Sequence, residues 1–298
     1  TLFRSWFFLI CKERVMQSVE TPSVKASIKS IINNKPILLM TLSQILGSFA
    51  VGGSKQDYYI DVLNFASLGL ITGIPGSIIN PFSYMAVPWF RRHFSSRFLY
   101  IIGNKIDGIL LVPVFLVGCI GGKKHGLYKN IWVMGIAMML WETIFMIFYG
   151  VRRIIPTEMY NEAMDYCEWK NGYRTEGMTS VAQGLASKLA SIFSRYISNY
   201  IKQLIGYDLT RYVRGTAQTD ETKFGLFAMF TIVPFLTGMI SIIPMLFYDL
   251  SGKKKEKMYE ELLERRAAMS KEATSGDLEA LERLAKAQME IGNMKQEL

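Results

Sequence analysis

Six long apolar runs fix what this chain can fold into. They are Ile37 to Val51, Phe65 to Val87, Phe98 to Ile120, Ile131 to Gly150, Gly177 to Ile205 and Phe224 to Tyr248. A bilayer core of about 30 Å takes about 20 apolar residues in helical form. The runs lie near that length, and the first, which is short, is expected to extend at both ends. Lipid offers no partner for an open backbone, and the alternation of a barrel strand is absent, so each run must be a helix. The expected fold is all-α, that of a polytopic membrane protein.

Length alone, at 298 residues, would suit a soluble enzyme of two domains of about 150 residues each. The distribution of charge argues otherwise. Ten basic and ten acidic residues fall between Lys253 and Glu297, which leaves 24 basic and 15 acidic for the first 252 positions. The tail is therefore neutral, and the net charge of +9 belongs to the apolar segment. This composition excludes disordered, collagen-like and coiled-coil classes and disfavours a soluble globule. Three regions follow. Residues 1–35 hold the end of a preceding helix, at Ser5 to Cys11, and a loop. Residues 36–250 form a six-helix transmembrane bundle, and residues 251–298 a charged helical tail. A chain that starts on the remnant of an earlier span reads as part of a longer protein.

Lys and Arg in the loops set the orientation: sixteen lie on the side that carries Arg91, Arg92, Arg152, Arg153 and Lys253 to Lys255, against seven on the other. The first side is expected to be cytoplasmic, with the C-terminus inside a cell membrane. Such bias argues nothing for nucleic acid as a partner; lipid is the expected surroundings. Cys11, Cys119 and Cys167 are odd in number and far apart, so no disulfide framework is implied. His93 and His125 have no neighbours at metal-ligand spacing, and no metal site or organic cofactor is expected. The phosphate loops, serine elbows and zinc-protease helices of soluble enzymes are missing, and no catalytic residue is assigned. In the tail, Met258, Leu262 and Leu263 are spaced for one helical face and a second helix opens at Ser275; the segment reads as a solvated helical tail, with a regulatory or docking appendage as the alternative.

Ionisable residues at membrane depth carry more information, because each costs several kcal/mol unless it faces a cavity or a partner. In the fifth run, steps of three and four from Ser180 pass through Gly184, Lys188, Ser191, Arg195, Ser198 and Lys202. This small and cationic stripe stands opposite Leu185, Leu189, Ile192, Phe193 and Ile197. Such a helix lines something polar, with Lys188 furthest from the ends, although Arg195 and Lys202 are also placed to snorkel. Glu142 in the fourth run is a candidate counter-ion, and Lys105 and Asp107 are candidates to offset each other. Seven of the nine prolines lie in or at the ends of runs, as in the broken helices of transport proteins and also in rigid membrane proteins. Gly69 and Gly73 form a pair suited to close helix packing.

Between the fourth and fifth runs stands Asp165-Tyr166-Cys167-Glu168-Trp169-Lys170-Asn171-Gly172-Tyr173-Arg174-Thr175-Glu176-Gly177, followed by Gln183 and Lys188. This stretch resembles the signature of the glycoside-pentoside-hexuronide:cation symporters, the family of the melibiose carrier. The likeness extends from Lys12 to about Leu250. It implies the major facilitator fold, twelve helices in two halves around a substrate cavity, with this chain supplying the second six-helix half after a central cytoplasmic loop. It further implies that Glu162, Asp165 and Arg174, with Glu168 beside them, form a cytoplasmic gate of ion pairs. Lys188 would face the central cavity, where sugar and cation binding are coupled. The family's cation-coordinating carboxylates lie in the first half, the missing partner of this one.

Three departures from the family pattern stand out, the last of them a pair of residues. Glu162 stands where Asp is usual, and Cys167 replaces a common Gly. Arg152 and Arg153 lie about 14 Å deeper along the helix than Glu162, at 1.5 Å per residue, where many members are apolar or aromatic. With Lys188 and Arg195 they would make an electropositive cavity suited to an anionic sugar such as a hexuronide; alternatively they merely flank a shorter fourth span. The function expected is secondary active transport: cation-coupled symport of a glycoside or related sugar with sodium or a proton, by alternating access, and not an enzyme activity. The alternative is a non-transporting six-helix interaction or regulatory membrane protein. A membrane-embedded transferase with Glu162 and Asp165 as paired carboxylates is a third reading.

Overall fold

Asn34 opens the first helix because its side chain supplies what a helix start lacks. Its Oδ1 accepts from the Ile37 N–H at 3.2 Å, while its Nδ2 donates to the Ala163 carbonyl at 2.8 Å. In the computed structural model of the chain, described over residues 32–172, 174–208, 217–275, 210 and 283, every regular element is helical. The expected helix end at Ser5 to Cys11, the loop up to residue 31 and the second tail helix after Ser275 lie outside the described residues, Arg283 excepted. Two compact units are distinguished. One comprises Leu39–Tyr160 with Ala182–Tyr248; the other comprises, among the described residues, 32–38, 161–181 and 249–275.

The larger unit holds the apolar helices. In chain order the elements are α1 (Lys35–Ser48), α2 (Lys55–Asp61), α3 (Leu68–His93), α4 (Ser96–Cys119), α5 (Ile131–Ile147), α6 (Tyr149–Asn171), α7 (Glu176–Leu204), α8 (Asp220–Gly238) and α9 (Ile242–Leu246). Side-chain oxygens of Ser95, Asn130 and Thr219 cap α4, α5 and α8. By length and composition three stretches suffice to cross a membrane: Ser96–Cys119, Ile131–Asn171 and Asp220–Leu246. Of the other three runs, α3 holds Pro75, Pro81 and Pro88, α7 carries the polar stripe, and α1 stops after 14 residues. Leu70, Ile74, Ile78, Phe82 and Met85 on α3 and Trp132 on α5 are exposed, an apolar surface suited to lipid.

Two helix boundaries differ from the sequence reading. The first run extends at its start, to Lys35, but is broken at its end: after Ser48 the chain leaves the helix and α2 begins at Lys55. The backbone freed at the break is satisfied by neighbours, as an apolar medium requires. Ser194 donates to the Ala50 carbonyl at 2.8 Å, the Val51 N–H reaches Thr237 Oγ1 at 3.1 Å, and the Gly53 N–H reaches the Met229 carbonyl at 2.7 Å. A Cβ on Gly52 would stand 2.8 Å from the Pro234 ring, so only glycine admits α8 this closely. The fourth run does not end near Gly150. It bends at Phe148 and continues as α6 to Asn171, which puts Arg152 and Arg153 inside a helix.

Small residues bring the helices together. α3 packs along α5 and α4 along α8. A Cβ on Gly118 would stand 2.3 Å from the Phe227 ring, and one on Gly76 would meet Met146 at 2.9 Å. Around them Tyr58, Tyr128, Phe227 and Phe230 form an aromatic core, with Tyr58 Oη donating to the Tyr128 carbonyl at 2.6 Å. Tyr128 lies in the short turn between α4 and α5, and burial there pushes its hydroxyl pKa up to about 12.

Candidate functional site

Polar side chains in otherwise apolar helices converge on one region of the larger unit. A cavity of about 410 Å³ is lined by Gln44 of α1, Tyr100 and Asn104 of α4, Arg152, Arg153 and Tyr160 of α6 and Gln183 of α7, among others. A second cavity, of about 230 Å³, shares Gln44, Tyr100, Asn104 and Arg152 with the first and adds Ser43, Lys105 and Ser241. Amide, phenol and guanidinium groups are the donors and acceptors a polyhydroxylated ligand needs. The α8–α9 junction, Met239–Ser241, contributes backbone oxygens: Lys105 Nζ donates to the Gly238 carbonyl at 2.6 Å, and Ser43 Oγ to the Ser241 carbonyl at 2.7 Å.

Arg152 is common to both cavities. Its Nη1 meets Asp107 Oδ2 at 3.3 Å, and its guanidinium lies 5.3 Å from the centre of the Phe145 ring. Arg153, one residue on, points its Nε at Tyr149 Oη, 3.0 Å away, and stacks on that ring. Lys105 and Asp107 form no direct ion pair, since Lys105 takes a backbone carbonyl and Asp107 takes Arg152, but the Asp107 charge still acts favourably on the Lys105 ammonium. Two residues apart on a helix, their side chains face different ways.

Lys188 and Arg195 are exposed on α7, line neither cavity, and have no ion-pair partner among the described residues. Their stripe divides between two roles. Ser198 turns inward to accept from the Gly52 N–H at 3.3 Å, and Lys202 meets Asp57 at 2.5 Å, while Gly184, Lys188 and Arg195 face out. Glu142 meets Lys55 rather than Lys188. Lys55 Nζ stands 2.6 Å from Glu142 Oε2, which also accepts from Thr72 at 3.3 Å, and the ammonium lies over the Tyr59 and Trp141 rings.

The smaller unit gathers the four gate candidates. Gly172, at φ +80°, ends α6 in the left-handed conformation that glycine allows, its N–H on the Glu168 carbonyl at 2.8 Å. This turn folds Arg174 back onto α6, where its Nη1 meets Asp165 at 2.8 Å and Glu168 at 3.5 Å. Glu162, buried at 4% exposure, pairs with Lys255.

Lys255 belongs to α10 (Lys253–Ser275), the tail helix, and here the reading of a solvated tail is corrected. Of the three residues expected on one helical face, Met258 and Leu262, four residues apart, are fully buried, while Leu263 is exposed. Around that face Tyr259 Oη reaches Asp165 at 3.3 Å and Arg265 reaches the Trp169 carbonyl at 3.1 Å, while Trp169 Nε1 donates to Glu261 at 2.7 Å. Arg266 binds both Glu168 oxygens and Asp165. The Glu168 hydrogen bond, opposed by burial and aided by Asp165, holds its pKa above the ordinary guanidinium value.

These arrangements define a polytopic helical membrane protein with a polar cavity and a charge network at one set of helix ends. Residues 6–252 match the family described as MFS/sugar transport protein, and the chain belongs to it. Among curated proteins it is similar to the glucuronide carrier protein homolog of Escherichia coli, 23% identical over 266 residues, covering 86% of this chain and 54% of that protein. The putative sulfoquinovose importer of Salmonella typhimurium is 25% identical over 281 residues, covering 88% and 53%. The isoprimeverose transporter of Lactiplantibacillus pentosus is 24% identical over 268 residues, covering 88% and 52%. The chain spans about half the length of the curated relatives it matches.

Proposed function

We propose that this chain is the second half of a secondary transporter that carries an acidic sugar together with a cation, sodium or a proton, by alternating access. The relatives' names support sugar transport but span acidic and neutral sugars, since a glucuronide and sulfoquinovose carry acid groups and isoprimeverose does not. The cavity's own charge supports the acidic class. Lys105, Arg152 and Arg153 bring three cations to the paired cavities, and Asp107 is the sole carboxylate that pairs with any of them among the described residues. A hexuronide or sulfonated sugar compensates that excess, and a neutral sugar leaves it standing.

In this reading Lys188 and Arg195 face the first half across the substrate path, and Lys188 couples cation to sugar. The ion pairs of Glu162, Asp165, Glu168 and Arg174 hold the cytoplasmic side shut, and they exchange partners when it opens. The C-terminus lies inside the cell. The cation site belongs to the first half, so no cofactor is assigned to these residues.

The test is uptake by cells expressing the protein as its gene encodes it, comparing a glucuronide with the matching glucoside. The glucuronide should be favoured, and Arg152→Gln and Arg153→Gln should each erode that preference. Equal uptake of both sugars, untouched by either substitution, would contradict the reading.

A further inference from the structure

Arg152 is held by one long contact, and this distinguishes it from Arg174. Arg174 has Asp165, Glu168 and Glu176 around it. Arg152 has Asp107 alone, at 3.3 Å through a single nitrogen, with both side chains more than a third exposed. At that length a charged hydrogen bond is weak, and a carboxylate able to take two parallel N–H groups outcompetes it. The guanidinium also lies over the Phe145 ring, 5.3 Å from its centre, a contact that does not depend on Asp107. Asp107 has its own anchor, because Oδ1 accepts from the Gly108 N–H at 2.8 Å. Each partner is thus fixed from its own side, and the bond between them is the replaceable part.

We infer that Asp107 is an exchangeable counter-ion for Arg152 and a determinant of specificity. In the empty site it neutralises Arg152; in the loaded site the acid group of the sugar takes its place on the guanidinium. Asp107 thereby sets how strongly a sugar must interact with Arg152 before it is accepted, and it discriminates against neutral glycosides, which cannot repay the broken pair. This rests on the reading of the cavity as an acidic-sugar site.

The experiment measures binding of p-nitrophenyl β-D-glucuronide and p-nitrophenyl β-D-glucoside to the purified protein as its gene encodes it. Asp107→Asn removes the competing charge and keeps an acceptor for the Gly108 N–H. It should tighten glucuronide binding about three- to tenfold, the range of one partly exposed charged contact. Glucoside binding should stay within about twofold. Asp107→Glu, which retains the charge, should give no gain, and the gain should vanish in an Arg152→Gln background. Weaker glucuronide binding by Asp107→Asn would overturn the inference, since Asp107 would then be positioning Arg152; equal tightening of both sugars would also overturn it. Failure of the underlying reading has a different signature, in which Arg152→Gln alone leaves the glucuronide-to-glucoside ratio unchanged.

Discussion

Arg266 of the tail helix donates to Glu168 Oε2 at 2.6 Å, the same oxygen that Arg174 approaches at 3.5 Å, so two arginines far apart in sequence share one carboxylate. Arg266→Ala should loosen α10 by about 2 kcal/mol, the value of charged hydrogen bonds discounted for partial exposure. Arg266→Lys should restore only part, because an ammonium cannot span Asp165 and Glu168 as a planar fork does. Spin labels at Asn161 and Leu263, both exposed, report the attachment in a background lacking the native cysteines. The variant should broaden their distance distribution, and an unchanged narrow distribution would refute the attachment.

Lys55 and Glu142 form a mostly buried pair, with side chains 28% and 15% exposed. Removing one partner leaves the other charged among apolar neighbours, at a cost of about 3–5 kcal/mol when burial is complete and somewhat less here. Lys55→Met and Glu142→Gln should each lower the thermal unfolding temperature in detergent, and the double variant should recover much of the loss. Additive losses would show that the two side chains act independently.

Helix existence was legible in the sequence because an apolar run of 20 residues has one solution in lipid. What happened inside the runs was not. The break after Ser48 depends on Ser194, Ser198 and Thr237 arriving from other helices to meet the freed backbone, and no local pattern near Gly52 announces them. The cluster Glu162, Asp165, Glu168 and Arg174 was legible through resemblance, but its tail partners were not. Their signal, Met258 and Leu262 at four-residue spacing, was legible as a helical face, but nothing in the neutral charge run said what that face packs against. Lys105 and Asp107 were legible as ionisable residues in an apolar helix, yet Asp107's partner, 45 residues on, required the fold.

Asp249 joins Lys35, at 3.3 Å, to Lys254, at 3.0 Å. Burial pushes its carboxyl up, but the hydrogen bonds and charges of Lys254 and Lys35 prevail and hold its pKa below the ordinary value of about 3.9. A depressed folded-state value means that the stabilisation is complete above the ordinary pKa and is lost as pH falls through the lower one. The unfolding temperature of Asp249→Asn should therefore lie below that of the unsubstituted protein at neutral pH. The gap should close only below about pH 3.9. A gap that widens on acidification would contradict the sign.

The most direct test of the account is concentrative uptake. Proteoliposomes carrying the protein as its gene encodes it, given an inward sodium or proton gradient, should accumulate a labelled glucuronide above the external concentration. The gradient's collapse by an ionophore should abolish accumulation, and Lys188→Ala should abolish it while leaving membrane insertion intact. Accumulation that persists without any cation gradient, or that survives Lys188→Ala unchanged, would contradict the claim that this chain is half of a cation-coupled sugar symporter.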